Sequence, residues 1–134
     1  FNMVKKVAKI AEIDYFINSL PNKYESKIGE KGLSISGGQR QRIGIARGLY
    51  RDHELLVLDE SLSAVDSINE LNIINNLFKI YKNKTILIVS HRLTSLKKCD
   101  RIILFDNGVI TDDGTFEELK LRNKIFQNLL KSNS

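Results

Sequence analysis

Several function classes find little to build on in this chain. One cysteine, Cys99, excludes an internal disulfide and suits a reducing compartment, where it reads as a small, half-buried hydrophobe. Two histidines and that cysteine stand at no paired ligand spacing, so a zinc site has no support. No G-x-S-x-G elbow offers a nucleophilic serine. No stretch reaches the roughly 18 apolar residues of a membrane span, and the first residues lack a charged-then-apolar signal segment. None of the eight glycines stands five residues before a Gly-Lys-Ser/Thr, so the phosphate-cradling loop G-x-x-x-x-G-K-[ST] is missing. The sequence opens on Phe1 rather than a methionine, which hints at a piece of something longer.

What is present has the composition of a soluble globular domain, with 134 residues, 42% of them hydrophobic and 28% charged. The net charge of +5 comes from lysines scattered along the chain rather than gathered in a stripe, so no nucleic-acid partner is expected.

Apolar spacing predicts an amphipathic helix from Asn2 to Ile13 and a short helix from Asp14 that stops near Leu20, because Pro21 restricts the residue before it. The aromatic pair Tyr15-Phe16 reads as core. A polar segment, Tyr24 to Gly32, follows as an exposed loop. Ser36 and Gln39 then have the spacing of a capping box, with Gly37 and Gly38 between them, and Ile43, Ala46 and Leu49 mark the apolar face of a helix running to Leu49. Two residues without Cβ atoms at a helix start allow an anion to approach free N–H groups and the positive dipole end. By itself Ser-Gly-Gly also fits an ordinary loop before a capped helix.

Glu54 to Glu60 reads as a parallel strand buried on both faces that delivers Asp59 and Glu60 at its C-terminal end, where ligands of open α/β sheets bind. Asp66 has the position of an N-cap for a helix carrying Ile68, Leu71, Ile74, Phe78 and Tyr81. Thr85 to Ser90 is a second buried strand that ends on His91. Leu93 to Lys98 is helical, Asp100 to Phe105 a third strand, Asn107-Gly108 a hairpin turn and Val109 to Thr111 its return strand. Asp112-Asp113-Gly114 reads as a second turn before a capping box of Thr115 and Glu118, with helices over 116–121 and 124–130 closing the chain.

The octet Ile35-Ser36-Gly37-Gly38-Gln39-Arg40-Gln41-Arg42 resembles the signature motif of ATP-binding cassette (ABC) proteins, with Ile35 in place of the usual leucine. The order of the motifs around it strengthens the resemblance. Gly29, Glu30 and Gly32 match a Gly-Glu-x-Gly pattern of ABC exporters, and Leu55 to Glu60 resembles Walker B. Ser63-Ala64-Val65-Asp66 resembles the D-loop, with Val65 for leucine and Ser61-Leu62 for the commoner Ala-Thr; His91 resembles the switch histidine.

The resemblance implies an α/β fold of the P-loop NTPase (ABC ATPase) type, present in part. Residues 1–50 would be the helical, signature-bearing subdomain and 51–134 the C-terminal part of the RecA-like core, a mainly parallel sheet flanked by helices. It implies ATP and Mg²⁺ as ligands, with Asp59 holding the metal through water. Glu60 would polarise the attacking water and His91 contact the γ-phosphate. Ser36, Gly37, Gly38 and Gln39 would meet a nucleotide held by a second nucleotide-binding domain arranged head to tail. Ser63 and Asp66 would form the D-loop, and Gly29, Glu30 and Gly32 would touch the transmembrane domain of an exporter at the cytoplasmic face of a membrane. Without its phosphate loop the chain alone is expected to be inactive. A soluble ABC ATPase working on ribosomes or DNA, or a non-enzymatic remnant, stand as alternatives.

Overall fold

The computed structural model describes residues 1–134 except Glu30, Lys31, Asp52, Asn133 and Ser134. Two compact units follow one another, Phe1–Val89 and Ser90–Ser134.

In the first unit, helix α1 (Asn2–Ile10) buries Val7, Ala8 and Ile10 and turns Lys5, Lys6 and Lys9 to solvent, as its apolar spacing requires. It ends earlier than the sequence suggests, because Glu12 takes a left-handed φ of 53° that breaks the helical path. Helix α2 (Asp14–Ser19) stops at Leu20, which adopts ψ 150° ahead of Pro21. Of the aromatic pair only Phe16 packs against the core; Tyr15 points into solvent, since a helix of 6 residues has one apolar stripe and Phe16 and Ile17 occupy it. Helix α3 (Gly37–Leu49) starts at the Ser36 cap and buries Ile45 and Leu49.

Strand β1 (Leu55–Asp59), helix α4 (Ser67–Ile80) and strand β2 (Thr85–Val89) form a βαβ unit, with β1 and β2 parallel and Leu55 opposite Thr85 through to Asp59 opposite Val89. Here the expectation of a strand buried on both faces fails. Leu56 and Leu58 are buried, whereas Leu55 and Val57 remain about half exposed at 53% and 50%. Side chains alternate across a strand, and among the described residues the helices of this unit cover one face. The apolar face of α4 is also rotated from the expected one. Ile73, Ile74 and Leu77 are buried while Ile68 and Leu71 are exposed, because the run is apolar widely enough to offer two stripes and contact with α1 selects one.

In the second unit, α5 (Leu93–Leu96) precedes an antiparallel hairpin of β3 (Ile102–Asp106) and β4 (Val109–Gly114). Its turn places Asn107 at φ 49° and Gly108 at φ 79°, the doubly left-handed geometry for which Asn-Gly is suited. Asp112 to Gly114, expected to be a turn, instead extends β4 past a bulge opposite Leu104/Phe105. The reason lies downstream. Asp112 accepts hydrogen bonds from Arg122 Nη2 and Asn123 Nδ2, both at 2.9 Å, which hold it to the end of α6 (Phe116–Arg122) and prevent a turn there. Thr115 and Glu118 cap α6 reciprocally, and α7 (Lys124–Ser132) packs Phe126 edge-on against Phe116 at 5.2 Å. Cys99 is half-buried, and burial raises its thiol pKa, which keeps it in the unreactive thiol form.

Two outcomes test this packing. Leu77→Ala removes a fully buried side chain and is expected to cost about 2–5 kcal/mol in chemical denaturation, whereas Leu71→Ala costs under about 1 kcal/mol. Equal losses would contradict the assigned face. Hydrogen bonds from Arg122 and Asn123 hold the Asp112 carboxyl below its ordinary value of 3.8. A depressed carboxylate stabilises the fold above its unfolded pKa and loses that contribution as pH falls through its folded one. Asp112→Asn is therefore expected to destabilise the chain at neutral pH and to converge with the unsubstituted chain below about pH 4, when unfolding is followed by circular dichroism. A constant difference across pH would count against the network.

Candidate functional site

The first turn of α3 is built by its own sequence. Ser36 Oγ accepts from the Gln39 amide at 3.2 Å, and Gln39 Oε1 accepts from the Ser36 amide at 2.8 Å, so the capping box predicted from the spacing forms in full. As the first two helical positions, Gly37 and Gly38 have amides with no intrahelical acceptor, at the positive end of a helix of 13 residues. Gly37 is exposed, and a Cβ there would meet Ala64 Cβ only at 3.5 Å. Gly38 is half-buried, and a Cβ there would lie 2.6 Å from the Ala64 carbonyl oxygen. The second glycine is thus required by the close approach of α3 to the loop after β1.

That loop carries the acidic pair. Asp59 ends β1 with its side chain exposed, and its carbonyl accepts from Ser61 Oγ at 3.3 Å. Glu60 donates its N–H to the Val89 carbonyl at 3.0 Å, continuing the ladder one step past the strand, and then turns the chain at a left-handed φ of 46°. Its carbonyl accepts from the Ser63 amide at 3.0 Å, and the turn is anchored by buried Leu62 and Val65. A glutamate at positive φ is sterically costly, and the sequence carries no sign of it, since Gly, Asn and Asp are the residues that favour this region. Asp66 caps α4 as expected, accepting from the Asn69 amide at 3.1 Å and Asn69 Nδ2 at 2.7 Å. These bonds hold its pKa below the ordinary value, with Arg42 adding a favourable charge.

Gln41 joins the two pieces, and the residue pattern alone gave no reason to single it out. Nε2 donates to Ser63 Oγ at 2.9 Å and to the Glu60 carbonyl at 3.3 Å, while Oε1 accepts from the Ala64 amide at 2.7 Å. Arg42, one residue on, donates to the Glu12 carbonyl and ties α3 to the end of α1. The structure therefore gathers Ser36, Gly37, Gly38 and Gln39 with Glu60, Ser63 and Asp66 in the first unit. His91 belongs to the second unit, where it is exposed and follows Val89 by two residues along the chain.

Gly29 and Gly32 lie in an exposed loop closed by Leu33 N–H to the Lys27 carbonyl at 2.9 Å and Gly32 N–H to the Gly29 carbonyl at 2.9 Å. Gly29 takes φ 109°, and a Cβ on Gly32 would run into the Lys27 carbonyl, so the loop backbone alone demands both glycines. Glu30 lies outside the described residues.

The donor set fits a hydrated ion better than a protein cage. No group of three or more His, Cys, Asp or Glu that could hold a metal occurs among the described residues. One exposed carboxylate at a strand end suits Mg²⁺, which keeps several waters and takes further oxygens from phosphate. Free amides at a capped helix start suit the phosphate. No helix among the described residues is long and apolar enough to cross a membrane.

Comparison with known proteins bears on the same segments. A family model described as "ABC transporter" matches residues 2–63. The chain is 45% identical over 114 residues to the alpha-hemolysin translocation ATP-binding protein HlyB of Escherichia coli O157:H7, covering 85% of this chain and 16% of that protein. It is 47% identical over 116 residues to the ATP-dependent lipid A-core flippase of Psychrobacter cryohalolentis, covering 87% and 19%. A solved structure of a bacterial Atm1-family ABC exporter with ATP bound matches at a TM-score of 0.91 and 31% identity, over 98% of this chain and 23% of that one. The chain spans about a fifth of the length of the curated relatives it matches. A backbone likeness that runs through nearly every residue, joined to a family match over residues 2–63, makes the chain similar throughout to ABC transporter proteins and gives it part of the α/β fold of their ATP-binding domain.

Proposed function

We propose that the chain is the part of an ABC exporter's ATPase domain that follows its phosphate loop, with residues 1–50 as the signature-bearing helical subdomain and 51–134 as the end of the catalytic core. The observation that carries this reading is the docking of a capped helix start, with its free Gly37 and Gly38 amides, onto the turn that presents Asp59 and Glu60. The printed names of the relatives, translocation and flippase proteins, support export as the work done.

In this reading Glu60 orients the attacking water and accepts its proton, and His91 contacts the γ-phosphate. Asp59 would hold Mg²⁺, which would supply charge neutralisation on the phosphates. Ser36, Gly37 and Gly38 serve a nucleotide held by a second ATP-binding domain facing this one head to tail. Gln39 takes part through its Nε2, since its carbonyl oxygen is committed to the cap. Ser63 and Asp66 complete the D-loop, whose shape is set by Gln41 and by the Asp66 cap. Gly29, Glu30 and Gly32 face the transmembrane domain at the cytoplasmic side of a membrane. Because the phosphate-cradling loop is absent from these 134 residues, the chain alone does not turn over ATP.

Glu60→Gln in the full-length protein is expected to lower ATP turnover by about 100-fold or more while nucleotide binding persists, the scale of losing a general base. The isolated chain is expected to show no Mg²⁺-dependent phosphate release above buffer. Undiminished turnover in the variant, or measurable turnover by the chain alone, would overturn this assignment.

A further inference from the structure

The geometry points to Gln41 as a positioning residue for ATP hydrolysis: its carboxamide fixes the left-handed turn at Glu60 to the signature helix, so that the acid and the Gly37 and Gly38 amides are carried on one body. The inference rests on the role proposed for Glu60.

A glutamate backbone does not settle readily at φ 46° without support. Such a conformation persists only where its surroundings over-determine it, and they cluster at functional sites. Three sets of bonds do so here. The Glu60 N–H is tied to β2 through the Val89 carbonyl, and the Glu60 carbonyl is closed onto the Ser63 amide. Gln41 supplies the third set. One Nε2 reaches both the Glu60 carbonyl at 3.3 Å and Ser63 Oγ at 2.9 Å, and Oε1 takes the Ala64 amide at 2.7 Å, so the carboxamide spans the turn from its first residue to its end.

Gln41 stands four residues after Gly37, hence on the same face of α3, one turn in from the first helical amides. The contact is backed by shape, since only glycine at position 38 lets the helix lie this close to the Ala64 carbonyl. A neutral side chain with one acceptor and two donor hydrogens is needed, because the turn presents an amide on one side and a carbonyl with a hydroxyl on the other. Glutamate keeps the acceptor and loses the donors; leucine keeps the bulk and loses both.

The test uses Gln41→Glu, Gln41→Leu and Glu60→Gln in the full-length protein, with ATPase kinetics and amide hydrogen exchange as readouts. Gln41→Leu is expected to speed exchange of the Ala64 amide by about fivefold, the scale of one net hydrogen bond. Gln41→Glu leaves that amide protected, because its acceptor remains. Both variants are expected to lower kcat by about tenfold or more with KM for ATP within twofold, as for a misplaced catalytic group. Amides of Ile73 and Leu77 in the core of α4 exchange as in the unsubstituted protein.

Unchanged kcat in both Gln41 variants, beside an inactive Glu60→Gln, overturns the positioning role and leaves the functional reading standing. Faster exchange at Ile73 and Leu77 in both variants reduces Gln41 to a general support of the fold and likewise overturns it. If Glu60→Gln itself retains turnover, the role of Glu60 falls and that of Gln41 falls with it.

Discussion

The contact on which the rest of the first unit depends is the seating of α3 against the loop that leaves β1. It combines a steric requirement with a polar one. A Cβ at position 38 would stand 2.6 Å from a backbone oxygen, so only glycine allows the approach, and the Gln41 carboxamide then satisfies an amide, a carbonyl and a hydroxyl that the approach leaves facing the helix. Since α3 is also tied to α1 through Arg42 and the Glu12 carbonyl, displacement of α3 would be felt both at the acidic turn and at the chain's first helix.

This seating gives the candidate site its order. A capped helix start is a strong anion site only if its first amides stay accessible, and Ser36 and Gln39 satisfy each other while leaving those of Gly37 and Gly38 unclaimed by the helix. The acids sit at the end of a parallel strand for a different reason, because strand C-termini are where the chain leaves the sheet and polar groups can emerge. Joining the two is a tertiary act, carried out across some twenty residues of sequence separation by one glutamine. The β1–β2 pair beside it keeps an apolar row, Leu55, Val57, Leu87 and Val89, on its uncovered face, the composition of a strand built for cover on both sides.

Much of the local structure was legible because its causes are local. A capping box needs only a hydroxyl and a carboxamide or carboxylate three residues apart, and both boxes, at Ser36 and Thr115, form. Asn107-Gly108 closes its hairpin because those two residues tolerate positive φ, and Pro21 halts α2 through a clash with its own neighbour. The stripe expected for α4 holds at Ile74, Phe78 and Tyr81 but fails at Ile68 and Leu71, which are as apolar as the buried Ile73 and Leu77, and periodicity cannot rank two stripes of similar content. Asp112 to Gly114 looked like a turn by composition, yet Arg122 and Asn123, ten residues on, draw it into β4. For the candidate site, family motifs picked out Ser36 to Gln39, Asp59, Glu60 and His91, and Gln41 stands within the signature octet, but neither the strained backbone at Glu60 nor the contacts of Gln41 with the turn could be read from it.

By itself the sequence determined most of the helices and strands and the caps that start α3, α4 and α6, because each follows from chemistry within a few positions of the chain. Only the tertiary structure decided which apolar stripe is buried, which face of β1 is covered, and how the acidic turn is held to α3. Those outcomes depend on contacts between segments far apart in sequence, where several arrangements share the same local preferences and packing and hydrogen-bond satisfaction choose among them.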